Sequence, residues 1–209
     1  MRASSAPVAG IDMSLRRIDE AERVASLLVG AIVAQGVDAG RLVLGIHRVL
    51  GDDSVNGHFA FSVSVGGACE DDAWQWTRRA VESVAAALQP PTDPALVLRS
   101  RRLGPPALAP TARAAALAQA NRSGGRAVVF PGNPELVGFL QVHDILERSA
   151  IEEVVDITET LPRTDDLVLV NGPVRPRWNF GRLILYVLPA AGVVDSVYLP
   201  FAEKLLVND

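Results

Sequence analysis

The sequence predicts an α+β fold, with antiparallel strand pairs packed against helices on one side and a β-rich C-terminal third. Three observations carry this. Hydrophobic residues make up 49% of the 209 positions, enough for a substantial core. Stretches with apolar residues at helical spacing alternate with short runs in which every second residue is apolar. Beyond residue 167 only runs of the second kind occur.

Residues 1–11 read as a loose tail. Asp12 or Ser14 offers a cap for a helix running to about Gln35, with Ile18, Ala21, Leu28, Ala31 and Ile32 on its apolar stripe and Gly36 as its stop. Two strands follow, Arg41–Val49 and His58–Val65. In the second, Phe59, Phe61, Val63 and Val65 share one face, and His58, Ala60, Ser62 and Ser64 share the other. The Gly51–Gly57 loop makes them a hairpin. After Gly66-Gly67, the acidic residues Glu70, Asp71 and Asp72 suit the start of a helix striped by Trp74, Val81, Val84, Ala85 and Leu88.

The run Gln89-Pro90-Pro91-Thr92-Asp93-Pro94 ends that helix. A short strand, Ala95–Leu98, lies before Gly104-Pro105-Pro106. Residues 1–89 then form an α-β-β-α lobe, 90–110 a Pro-rich connecting segment, and 111–209 an α/β and then β-hairpin lobe. A single merged domain is an equal alternative. The second part opens with a helix from Thr111, its cap, to about Asn121, then strands Arg126–Phe130 and Leu136–Val142 around Pro131-Gly132-Asn133-Pro134. A helix from His143 to Val154 precedes strands Leu167–Val170, Leu183–Leu188 and Val193–Leu199. Pro173 and Pro176 keep the segment before Trp178 out of a central strand.

Composition narrows the function classes. The net charge of −4 gives no global reason to bind nucleic acid. Lys204 is the only lysine, so the basic residues are almost all arginine, as a GC-rich coding bias or selection for bidentate anion contacts would leave them. A single cysteine, Cys69, allows no internal disulfide and no cysteine-based zinc site, and reads as buried and inert. The first ten residues lack the apolar stretch of a signal peptide, and no apolar run approaches roughly 18 residues. Cytoplasmic residence is expected.

The candidate sites are few. Arg99, Arg101, Arg102, Arg113, Arg122 and Arg126 lie in a stretch without a single acid, which suits a phosphate or carboxylate, or else a solvated surface paired with distant acids. Arg175, Arg177 and Trp178 flank Pro176, as a recognition loop or as a structural corner with Trp178 in the core. Of these, Arg99, Arg101, Arg102, Arg175, Arg177 and Trp178 are the expected ligand-binding residues. His47 and His58 sit on paired strands near Asp52 and Asp53, and His143 and Glu147 are one helical turn apart. Neither set has the spacing of a known metal motif, so no metal is expected. There is no Gly-x-Ser-x-Gly elbow and no phosphate-loop motif.

The segment Gly138-Phe139-Leu140-Gln141-Val142-His143-Asp144-Ile145-Leu146 resembles the end of a CBS motif. The Gly-to-Asp spacing matches, and the resemblance implies that Asp144 holds the ribose of an adenosine ligand. Gln141 departs from the family's Thr, and the tandem second copy is missing.

The expected function is a soluble intracellular binding or assembly protein, homo-oligomeric, with an anionic small ligand or a protein as its partner and with neither membrane nor nucleic acid. Two alternatives stand beside it. One is a small enzyme whose site combines His58, Asp52 or Asp53 and an arginine of the second half. The other is a module that senses an adenosine nucleotide. No cofactor is specified by any motif.

Overall fold

A computed structural model describes residues 6–50, 57–158, 161–190 and 197–201. Among them are four helices and a mostly antiparallel, unclosed twelve-stranded sheet, an α+β architecture. The first half runs β1 (Val8–Leu15), α1 (Ile18–Val33), β2 (Leu42–Val49), β3 (His58–Val65), α2 (Glu70–Ala87), β4 (Ala95–Leu98), β5 (Arg101–Leu103) and α3 (Ala109–Ala120). The second runs β6 (Arg126–Val129), β7 (Gly138–Gln141), α4 (Val142–Arg148), β8 (Glu153–Asp156), β9 (Leu167–Val170), β10 (Arg177–Asn179), β11 (Arg182–Pro189) and β12 (Val197–Pro200). The strand order is β5-β4-β1-β3-β2-β6-β10-β11-β12-β9-β7, with β8 alongside β11 in parallel.

The strands β4-β1-β3-β2, with α1 and α2 inserted between them in the chain, have the order of a split βαβ unit. This corrects the start of the sequence reading. Residues 8–15 form the central strand β1, and neither Asp12 nor Ser14 caps a helix. The signal was present as alternation: Ala9, Ile11, Met13 and Leu15 against Gly10, Asp12 and Ser14. It is weak because the second set is small or polar, as on a solvated strand.

Both faces of this unit are covered. Ile11, Phe61, Leu44 and Leu96 pack with α1 and α2 in one cluster. On the opposite face α3 crosses β1, β3 and β4, burying Ala112, Ala115, Ala116 and Gln119 at helical spacing. Gly10 permits this approach, since a Cβ there would lie 1.7 Å from the Ala112 carbonyl oxygen. The expectation of helices on one side therefore holds for α1 and α2 and misses α3, whose Ala-rich sequence carries almost no amphipathic signal.

The sheet continues past β2 through β6, and a second hydrophobic cluster around Phe130, Ile145, Val168, Trp178 and Leu185 packs beneath α4. Strands β8 and β10 were not expected. β8 begins inside the segment read as a helix to Val154 and runs past it to Asp156, and β10 follows the two prolines, which leave Trp178 free to pair with Leu183. The turn expected at Ala190-Ala191-Gly192 lies partly outside the described residues, and β11 and β12 are antiparallel as expected. Among the described residues no helix is long and apolar enough to cross a membrane.

Gly10→Ala is expected to lower stability by about 2–3 kcal/mol, because α3 must lift off β1. Urea unfolding of the variant measures this, and a change below about 0.5 kcal/mol would refute direct contact of helix and strand backbones.

Candidate functional site

The face of the sheet beneath α3 collects Asp12, His47, Ser62 and Ser64, which with Gln119 of α3 are most of the buried polar residues of the first half. Asp12 is 0% exposed, yet carries a carboxylate. Burying such a group costs several kcal/mol unless donors surround it. Three do so. The backbone N–H of Ser14 donates to Oδ1 at 2.8 Å, His58 Nε2 lies 2.8 Å from Oδ2, and the Thr111 hydroxyl donates to Oδ2. The Ser14 bond forms because β1 bulges between Asp12 and Leu15, with Ser14 at φ 55°. Thr111, expected as the cap of α3, thus satisfies Asp12; α3 starts earlier, with Pro110 in its first turn.

Further along the same face runs a second network. His47 Nε2 lies 2.6 Å from Ser62 Oγ, whose hydroxyl donates to Gln119 Oε1 at 2.5 Å; Gln119 Nε2 donates to Ser64 Oγ at 2.7 Å. Since Ser62 spends its proton on Gln119, His47 is the donor to Ser62 and carries its proton on Nε2. Its ring stacks on Trp178, with centroids 6.4 Å apart and planes at 4°. Gly45 makes room for that indole, because a Cβ there would meet it at 2.7 Å. Burial pushes the His47 pKa down to about 4, so the ring is neutral at pH 7. His47 and His58 share a face but have separate partners, Ser62 and Asp12.

The expected ligand-binding residues are dispersed. Trp178 is 6% exposed and plugs the core, so it is the structural corner and not an exposed recognition group. Arg175 Nε approaches Glu22 of α1 at 3.5 Å, and Arg126 Nη2 binds the same carboxylate oxygen at 2.7 Å. Arg177 stands on β10 opposite Ile184 and Arg126. Arg99 pairs with Glu70 at 2.7 Å and Arg101 with Asp71, both at the start of α2. Arg122 pairs with Glu152 at 2.8 Å. The acid-free stretch therefore finds its acids in other elements. Arg102 and Arg113 are exposed and make no hydrogen bond or ion pair among the described residues.

Asp52 and Asp53 lie outside the described residues. Cys69 is exposed, which corrects the buried reading; its Sγ accepts from the Asp72 N–H at 3.4 Å, capping α2. His143 and Glu147 approach to 3.3 Å on the outside of α4, and no group of three metal-ligating side chains occurs among the described residues. Asp144 binds Arg148 at 2.7 Å.

Sequence reasoning missed two exposed apolar features. Strand β7 forms one end of the sheet and carries Phe139, 64% exposed, next to Val137, 72% exposed. Phe180, 91% exposed, occupies the β10–β11 turn with φ 49°, followed by Gly181 at φ 81°. That is a type I′ turn, whose first position favours Asn or Gly over an aromatic residue. No family model, no curated protein and no solved structure matches the chain.

The depressed His47 pKa sets a pH dependence. The unfolded chain takes up a proton at this site near pH 6.5 and the folded chain only near pH 4, so stability falls as the pH drops through that window. Between pH 7.5 and pH 5 the loss from His47 is about 2 kcal/mol. Denaturant unfolding of His47→Gln at both pH values is expected to lack that increment; an identical pH dependence would refute a neutral buried His47.

Proposed function

We propose that this chain is a soluble intracellular binding or assembly protein that associates with further copies of itself through the open end of its sheet. One observation carries the reading: β5 and β7, the strands that end the main path of the sheet, differ. The β5 end is three residues long and bears Arg101 and Arg102, the short and charged design that discourages strand pairing. Among the described residues the β7 end pairs with β9 alone and presents the exposed Phe139 on its strand. Two copies pairing antiparallel along β7 would bury both phenyl rings about a two-fold axis.

A second reading, a small enzyme using acid–base chemistry, has one specific support. Asp12 orients His58, which remains partly exposed, as a carboxylate orients a general base. It requires His58 to react with diethyl pyrocarbonate faster than the more exposed His143; a slower reaction removes it. The adenosine-sensing reading finds less support, since the Asp144 carboxylate is already engaged by Arg148.

The assembly reading predicts a solution mass above the 22.2 kDa of one chain, with amide-exchange protection of residues 138–141 that rises with protein concentration. Phe139→Lys is expected to weaken association at least tenfold while leaving the unfolding midpoint of the dilute, unassociated chain unchanged. A 22.2 kDa species for the native sequence at high concentration would overturn the reading.

A further inference from the structure

At the other end of the sheet from β7 lies a groove of about 170 Å³ between α3 and the beginning of β1. Its floor is apolar: Pro7, Val8, Val97, Ala116, Leu117 and Ala120. Leu117, on an otherwise Ala-rich helix, stays exposed beside it. The rim is cationic. Arg99 and Arg113 line the groove directly. Arg102 stands opposite Val97 in the β4–β5 ladder, and cross-strand partners leave a sheet on the same side, so its guanidinium rises from the face that forms the floor.

These arginines are not equivalent. Arg99 is engaged by Glu70, whereas Arg102 and Arg113 have no carboxylate, hydrogen-bond acceptor or other described partner. Among the described residues no acid lines the groove. An apolar floor beside guanidinium groups that have no carboxylate partner among the described residues is complementary to one kind of molecule: a small body without polar groups that carries a single anionic end.

We propose that this groove binds a small amphipathic carboxylate, its aromatic or branched aliphatic body on Val97, Ala116 and Leu117 and its carboxylate between Arg113 and Arg102. Planar guanidinium groups match a carboxylate in bidentate geometry, and the volume suits a single ring or a short branched chain. The site shares no residue with β7, so it stands or falls separately from the assembly reading.

Benzoate is the probe. Titration of the full chain, followed through the methyl resonances of Val97 and Leu117, is expected to give saturable shifts. Benzyl alcohol, which keeps the body and lacks the charge, and acetate, which keeps the charge and lacks the body, are each expected to bind at least tenfold more weakly. Arg113→Gln is expected to weaken benzoate at least fivefold, with Arg113→Lys between the two, and Arg175→Gln, remote from the groove, is expected to leave it unchanged. Benzyl alcohol binding as tightly as benzoate, or benzoate binding unaltered in Arg113→Gln, would overturn the proposal. So would nuclear Overhauser contacts showing the groove filled by residues 1–5 or by Phe180 of another copy.

Discussion

Strand β1 is covered on both faces, and the rest of the first half is arranged to allow it. One face, with Ala9, Ile11 and Met13, is held under α1 and α2 by ordinary apolar packing. The other meets α3 at van der Waals distance, which Gly10 alone permits at that point. A strand so enclosed can keep a carboxylate only if donors reach both of its oxygens. Asp12 therefore draws in the bulge at Ser14, the ring of His58 and the hydroxyl of Thr111, elements far apart in the chain. Closure of α3 and satisfaction of Asp12 are the same event, because Thr111 sits on the helix that covers the carboxylate.

The same face continues into the seam between the two halves. The line from Ser64 through Gln119 and Ser62 to His47 ends against the indole of Trp178, which belongs to the second hydrophobic cluster. Glu22 adds a link from the opposite side, holding Arg126 and Arg175 to α1. Buried networks of this kind specify one arrangement rather than adding much net stability, since each bond replaces one to water. The polar residues that most resemble chemistry in the sequence are thus engaged in structure, while the exposed apolar groups Phe139 and Phe180 and the arginines Arg102 and Arg113, unpaired among the described residues, lie elsewhere.

Much of the fold was legible. Strands β3, β4 and β9 and the opening of α2 fall where alternation, helical stripes and acidic starts place them, because those signals are local. The misses have two causes. β1 and α3 press small and polar residues against each other, and such an interface has no periodic apolar signature. β10 follows two prolines, whose restriction acts on their own positions and not on Trp178. The candidate site was less legible. His58 was identified as a candidate, but its partner Asp12 was read as a helix cap 46 residues away. The arginines were identified as a set, and their division into paired and unpaired members depends on Glu70, Asp71, Glu22 and Glu152, which nothing in sequence spacing connects to them.

By itself, the amino-acid order determined the class of fold, most of the elements, and the inventory of reactive and charged groups. These follow from properties of single residues and of neighbours a few positions apart. Only the tertiary structure decided that both faces of β3 are covered, which arginines are neutralised, and which strands stand at the ends of the sheet. Those are matters of which distant segments become neighbours, and a carboxylate or a guanidinium acquires its role from the neighbour that reaches it through space.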